Sequence, residues 1–513
     1  MKSKLNILFF LAVSSMTFSF ANAQETEVKK ENAPILQRVV ENKYSYTEFF
    51  TLPYVNPSMK YKQYNHTLNE VFVGGEIRDE SSPILMQQGD GERYGIVDAV
   101  AFISRDKYSM WGSASYNNGK QKNMRWNETS DFLLLYPYVM GDSIGGDSRV
   151  EKYYFNGGYA GKIGRVIWGL DASYKATLSY RQIDPRPRNI TGELEFHIGA
   201  ALSELGNNRL GAYVNAYKYK QKNVIEFYNE QGNLTLYHFT GLGTDYYRYR
   251  GEKKETYYKG NRFGAGLNLI PENGNGFTAN VEFNRFKFEK IISSLNNLPM
   301  AELKDYTTKG EVGYKTKQGS NAWGTKAEIL YEHKKGFENI FGDPANDIYP
   351  LIGSTQQYGF NQQEYMVSGF YEKATNDGFG FSVNPELGFY TSTVKYIYPK
   401  RELSNDRLNA GAKFNAWKQM RKFLLRANIG VKHSASMNAD LILTNVPEDQ
   451  SMEALNNNYK FIDSSNTQIE VGVKGYYQIS RKIAGYISAD WKHGWFVDNV
   501  YSNLALVTVG VAF

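Results

Sequence analysis

The sequence predicts an all-β fold: a transmembrane, antiparallel, up-and-down β-barrel of the outer-membrane type, with about 18 strands and a range of 14–18. Three observations predict it. Apolar and polar residues alternate over runs of about 10–15 residues, longer than the five or six of soluble strands and suited to a tilted bilayer crossing. Aromatic residues gather at the ends of these runs (Trp168, Tyr180, Trp323, Tyr331, Trp417, Tyr477, Trp491, Trp495), where an amphipathic ring meets the membrane interface. Connections alternate short and long, as periplasmic turns and outer loops do.

The chain begins with a targeting segment. Lys2 and Lys4 precede the apolar run 7–13, and Ala21-Asn22-Ala23 supplies small residues, so a signal peptide cleaved after Ala23 is expected. Residues 24–65 are expected to form a periplasmic N-terminal segment, and 66–513 the barrel with long extracellular loops. No later stretch approaches 18 apolar residues, so helical spans are not expected. Cysteine is absent, which excludes disulfides, thiolate metal sites and cysteine nucleophiles. The net charge of +6 falls to +4 when Lys2 and Lys4 leave with the leader, too little for a nucleic-acid partner. Aromatics reach 15%, with 40 Tyr, in a chain of mean hydropathy -0.52, so many rings are expected to be half wet. A secreted chain without cysteine fits the Gram-negative outer membrane.

The strands follow in order. In 192–202, Leu194, Phe196, Ile198, Ala200 and Leu202 oppose Glu193, Glu195 and His197. In 405–418, Leu408, Ala410, Ala412 and Phe414 oppose Arg407, Asn409, Lys413 and Asn415. In 421–437, Phe423, Leu425, Ile429 and Val431 oppose Arg426, Asn428 and Lys432. In 466–479, Ile469, Val471 and Val473 oppose Gln468, Glu470 and Lys474. Eight short turns are expected near 104–107, 161–164, 205–208, 271–275, 317–321, 374–378, 418–421 and 480–481. Nine long loops are expected near 77–90, 120–150, 181–190, 222–257, 290–304, 335–360, 396–404, 438–463 and 496–502. Together they give 18 strands with both termini in the periplasm.

The last residues, NLALVTVGVAF, end on Phe513 with Val511 and Val509 on the same face. They resemble the recognition signal that outer-membrane proteins offer to the barrel assembly machinery. The phrases YPYVMGDSIGGD (136–147), EKYYFNGGYA (151–160) and YRQIDPRPRN (180–189) resemble an uncharacterised family of Bacteroidota outer-membrane β-barrel proteins, a family of unknown function. The resemblance implies fold and location and carries no functional residues.

Candidate sites lie in the outer connections. The 120–150 loop is too apolar to stand in water, and Leu134, Tyr136 and Tyr138 are candidates for a constriction, with strand extension as the competing account. Arg181, Arg186 and Arg188 surround two prolines and would form a stiff fork for carboxylate, phosphate or sulfate; a hairpin corner paired with loop acids is the plainer account. Tyr246, Tyr247, Arg248, Tyr249 and Arg250 alternate rings with cations, a pattern that stacks sugars or simply extends a strand. Gly141-Asp142-Ser143-Ile144-Gly145 fits G-x-S-x-G, but a nucleophile elbow needs a strand–turn–helix. The six histidines lack metal-ligand spacing, and no catalytic residue, metal or cofactor is assigned.

The functional expectation is a porin-like passive barrel admitting small polar solutes through a lumen lined by both signs of charge. The alternative is an occluded barrel that docks a surface lipoprotein or an energy-coupled, TonB-dependent transporter; a rim hydrolase is the remote third. About 42 residues before the first strand are too few for the folded plug of an energy-coupled receptor, so the chain is not expected to be such a transporter by itself.

Overall fold

In hydrocarbon no backbone N–H or C=O finds water, so a spanning sheet must close on itself. The computed structural model describes residues 33–228, 235–251, 255–345, 348–447 and 450–513. The expected signal peptide and its cleavage site lie outside the described residues. Eighteen strands form one antiparallel sheet, each paired with its neighbour in sequence. The first nine are β1 (Leu68–Glu80), β2 (Gly91–Ser104), β3 (Tyr108–Met124), β4 (Gly146–Ile163), β5 (Val166–Arg181), β6 (Arg186–Leu205), β7 (Asn208–Glu226), β8 (Glu255–Pro271) and β9 (Gly276–Ile292). The rest are β10 (Leu298–Gln318), β11 (Asn321–Phe341), β12 (Leu351–Ala374), β13 (Phe379–Tyr396), β14 (Arg401–Met420), β15 (Phe423–Leu443), β16 (Asn466–Ser480), β17 (Ile483–Trp495) and β18 (Tyr501–Ala512). The barrel closes where β18 pairs with β1, Val511 opposite Val71 and Val509 opposite Val73. Phe513 and Asn69 exchange both backbone hydrogen bonds at 2.9 Å, sealing the seam.

Alternation sorts the side chains as the sequence predicts. Phe196, Ile198, Val214, Phe263, Leu267, Phe283, Ile429 and Val509 all stand exposed on the outer wall. On β11 the outward rings Trp323 and Tyr331 are eight residues apart, about 27 Å along the strand and about 20 Å along the membrane normal once tilt is included, so their rings sit near the two edges of the apolar band. Trp417 departs from the expected girdle: it points inward and is buried.

All eight short turns fall where expected, each two to four residues long. Several outer connections are much shorter than expected. Residues 182–185 and 397–400 are four-residue corners, and 293–297 and 496–500 span five, because the flanking strands continue above the membrane. Long insertions remain at 125–145, 227–254 and 444–465.

Residues 34–65 correct the expectation of a periplasmic segment. They fold up into the lumen. Helix α1 (Ile35–Asn42) presents Ile35, Leu36, Val39 and Val40 on one stripe. That stripe packs on the inward ring Leu68, Trp417, Leu424, Tyr476 and Tyr486 at the turn end of the barrel. Beyond it, Met59 is fully buried against Ala160, Ile167 and Ala201 on β4–β6, worth about 1.5–3 kcal/mol for such a side chain. Gly169 explains how backbone can approach the wall here: a Cβ at that position would lie 2.5 Å from the Pro57 carbonyl carbon.

Candidate functional site

The lumen is closed from the outer side by loops that descend into it. A one-turn helix, Phe132–Leu135, delivers Phe132, Leu135, Tyr138 and Val139 to the barrel interior. There they meet Tyr217 and Tyr219 of β7, Tyr258 of β8, Phe286 and Phe288 of β9, Tyr358 of β12 and Tyr396 of β13. Thus the upper inward positions are aromatic rather than polar, because their neighbour is a packed loop and not water. Tyr138, Tyr219, Tyr258 and Tyr358 are fully buried, so part of the tyrosine surplus fills this core instead of half-wet girdles. Short strands Met140–Gly141, Tyr237–Gly241 and Thr244–Asp245 pair with one another and form the lid's backbone. Helix α2 (Glu453–Ile462) packs Leu455, Tyr459 and Ile462 against the same core.

Polar anchors fix the lid. Lys290, inward on β9 and buried, donates to the Val139 carbonyl at 3.0 Å. Arg401 of β14 donates to the Leu242 carbonyl at 2.7 Å and the Asn445 carbonyl at 2.8 Å, tying two loops together. Arg125 and Glu453 form a bidentate pair at 2.6 and 2.7 Å. His238, within the lid strand Tyr237–Gly241, is wholly buried, and among the described residues neither ring nitrogen has a hydrogen-bond partner. Burial, with the Lys290 charge nearby, holds its pKa well below the ordinary histidine value.

The candidate constriction residues go where the inward-folding account puts them. Tyr138 is in the core, Leu134 and Tyr136 pack at its edge, and the Tyr136 hydroxyl accepts from the Leu242 amide at 3.2 Å. The arginine fork does not form. Arg181 points inward, is buried, and pairs with Glu128 at 2.7 Å and Asp142 at 2.8 Å. Arg186 pairs with Asp184 at 2.7 Å and covers the Tyr228 ring, while Arg188 stands exposed on the outer wall. A strand's period of two explains the split: Arg186 and Arg188 share the outward face of β6, and Arg181 ends the inward face of β5.

The ring-and-cation run is likewise absorbed internally. Tyr246 donates to the Met300 carbonyl at 3.0 Å, Tyr249 is buried with Ile292 and Met300, and Arg248 reaches the Phe341 carbonyl at 2.8 Å. Arg250 pairs with Asp245 at 2.6 Å and lies over the Tyr237 ring; Tyr247 stays open, 78% exposed. Around Ser143 the chain is a turn in which Asp142 Oδ1 accepts from the Ile144 and Gly145 amides, with no strand–turn–helix. Among the described residues no group of three or more His, Asp and Glu is placed to hold a metal.

From below, the inserted 34–65 segment is held by the wall's polar groups. The Ser45 amide donates to Glu372 at 2.6 Å, Lys315 to the Tyr46 carbonyl at 2.7 Å, and Arg426 to the Lys43 carbonyl at 3.0 Å. Asn56 donates to Asn268 at 2.9 Å, and Lys60 pairs with Asp171 at 3.3 Å. His197 lies 3.0 Å from Glu195 and 3.1 Å from the Val55 carbonyl, a satisfied lumen histidine that touches the plug. The sequence carried one signal for this plug: Gly169 and Gly199 face each other across β5–β6 on the inward side, where a barrel filled only by water needs no glycine.

Between the two insertions two polar cavities remain along β13–β17. The lower, of about 560 Å³, has the plug (Ser45, Phe49, Thr51) as its floor and Lys413, Lys432, Glu470 and Lys492 on its wall. An upper cavity of about 420 Å³ lies under α2, lined by Tyr390, Asn409, Asn458 and Asn466. Asn466 and Asn409 line the upper cavity, and Gln468 and Lys413, further down the same inward faces, line the lower. Gly411 lies one inward position from each of Asn409 and Lys413, and the Glu386 side chain covers it.

Fold and filled lumen define an outer-membrane-type β-barrel closed by its own chain. The chain belongs to the family of unknown function DUF6850, whose profile matches residues 57–513. No curated protein matches it. Among solved structures it is similar to a mutant of the ferric enterobactin receptor PfeA from Pseudomonas aeruginosa, at 9% identity, over 87% of this chain and 80% of that one, with a TM-score of 0.38. It is also similar to BauA, the ferric preacinetobactin receptor from Acinetobacter baumannii, at 9% identity, over 86% and 80%, with a TM-score of 0.39. The CymD monoaromatic hydrocarbon channel matches at 9% identity over 94% and 96%, with a TM-score of 0.31.

Proposed function

We propose that the protein is a gated barrel of the outer membrane, shut at rest, that takes a small polar solute along a lane through the two cavities on its β13–β17 side. The observation that carries this reading is the pair of polar cavities left between lid and plug on that side of the lumen. An always-open passive pore fits less well, since the lid core is as dry as a protein interior. The lumen charges are mostly paired across strands, as in Lys175–Glu193 at 2.6 Å and Arg262–Glu195 at 2.5 Å, so they brace the wall. Phe513, Val511 and Val509 retain the proposed role of offering the last strand to the assembly machinery. Liposome swelling tests the gate: wild-type protein should admit small sugars poorly, and a variant with 130–139 replaced by a short Gly-Ser linker should admit them readily. Equal rates would remove the lid from the account.

One observation favours docking of a surface partner as a second role. Ile340, Leu351 and Ile352 crown the β11–β12 hairpin well above the Tyr331 girdle, and are 50%, 57% and 70% exposed. Cross-linking from position 352 in intact cells would capture a surface lipoprotein or transporter under that reading, and capture only lipopolysaccharide without it.

A further inference from the structure

The lower cavity carries an electrostatic imbalance that points to its occupant. Its four carboxylates are already engaged: Glu470 by Lys413 at 2.7 Å, Glu386 by Lys432 at 3.1 Å, Glu328 by Lys326 at 3.1 Å and Glu48 by Lys43 at 3.7 Å. Arg426 and Lys492 line the same space, and among the described residues neither has a carboxylate within 4.0 Å. Lys474, the cross-strand neighbour of Arg426, is committed to Glu70 at 3.1 Å, and Asp490 acts on Lys413 and Lys474. Arg426, whose charge acts on Glu372 from beyond ion-pair distance, and Lys492 thus have no ion-pair partner among the described residues, and an anion in the cavity, partly shielded from water, would be attracted more strongly than in bulk solvent.

Arg426 is the more informative of the two. A guanidinium has five N–H donors, and Arg426 donates one of them to the Lys43 carbonyl of the plug. Its planar fork matches a carboxylate. Ser382, Asn384 and Asn415, hydrogen-bonded to one another and to Ser45 of the plug, and Gln468, opposite Lys432 further up the wall, line the same cavity with neutral polar groups, the complement of hydroxyl groups. The volume, about 560 Å³, falls within the range of small-molecule sites.

We propose that this cavity binds a small hydroxylated carboxylate, the class of sugar acids, with its carboxylate at Arg426 and Lys492 adding attraction from the far end. The inference rests on the gated-lane reading and adds a consequence to it. The solute and the plug compete for one guanidinium, so occupancy weakens the hold on the Lys43 carbonyl and loosens the plug from above.

Calorimetry on the full mature protein in detergent at low salt tests this with glucuronate and glucose, similar in size and differing in the carboxylate. Glucuronate should bind and glucose should not, with affinity reduced at least tenfold in Arg426→Gln and several-fold in Lys492→Gln. Hydrogen exchange of the Ser45 and Tyr46 amides should quicken with glucuronate in wild type. Equal binding of both probes, absent glucuronate binding, or affinity unchanged in Arg426→Gln overturns the proposal; Lys492→Gln, at an exposed wall position, guards against a folding defect in the first variant. Swelling assays with the lid-replaced variant separate the two readings. Entry of both probes without glucuronate binding leaves the lane and removes the anion site; entry of neither removes both.

Discussion

Arg181, at the end of β5, donates to Asp142 at 2.8 Å, and both side chains are almost wholly buried. The same nitrogen reaches Glu128 at 2.7 Å, so one cation clasps both ends of the loop that fills the lumen. Removing one partner from a buried ion cluster leaves the others uncompensated, which costs about 3–5 kcal/mol. Arg181→Met is therefore expected to lower the denaturant midpoint of the lid, followed by tyrosine fluorescence, while the barrel keeps its heat-modifiable gel migration. Wild-type behaviour would show that the clasp contributes nothing.

The plug depends on backbone contact at Gly169. Gly169→Val would place side-chain carbons where Pro57 now lies, so the 54–62 segment cannot seat while the outer wall is untouched. Limited trypsin digestion should then cut after Lys60 and Lys62 at least tenfold faster than in wild type. Equal protection would mean that the segment is held by other contacts.

The two closures respond to acid for different reasons. His238 titrates low in the folded lid, so between about pH 6.5 and that depressed value the unfolded lid binds more protons. Closure is thus weakened as pH falls below about 6.5, by up to about 1.4 kcal/mol per pH unit. Asp131, pushed up chiefly by burial, works in the opposite direction at lower pH, because the closed form favours its protonated state. Open probability in bilayers should rise from pH 7 to pH 5.5, and His238→Asn should flatten that slope. A slope unchanged in the variant would assign it elsewhere.

Glu41 anchors α1 through a 2.8 Å contact with His66, which holds its carboxyl below the usual value. A depressed carboxylate stabilises the fold above its unfolded pKa of about 4.3 and ceases to do so as pH falls through the folded one. Glu41→Gln should make the protection of 35–42 at pH 7 resemble that of wild type at a pH below the depressed Glu41 value. Indifference of these amides to both changes would contradict the anchoring role.

Strand count, turn positions and the sorting of Lys432, Glu470 and Lys474 to the inside were legible because period two leaves one solution once a wall must face lipid. What the barrel holds was not. Residues 34–65 lack the period of two, and their binding to Glu372, Lys315 and Arg426 is long-range, so they read as a periplasmic segment ahead of the barrel. The Arg181–Arg188 run misled because proximity in sequence says nothing about side: one residue's shift across a corner turned Arg181 inward. Trp417 misled similarly, a ring at a run's end that serves the plug and not the interface.

Planar-bilayer conductance tests the central claim most directly. Wild-type protein at pH 7 should insert with little or no steady current, and replacing 130–139 together with Gly169→Val should open large, long-lived steps. A steady, ohmic, wide conductance from the unmodified protein would contradict a barrel shut by its own chain.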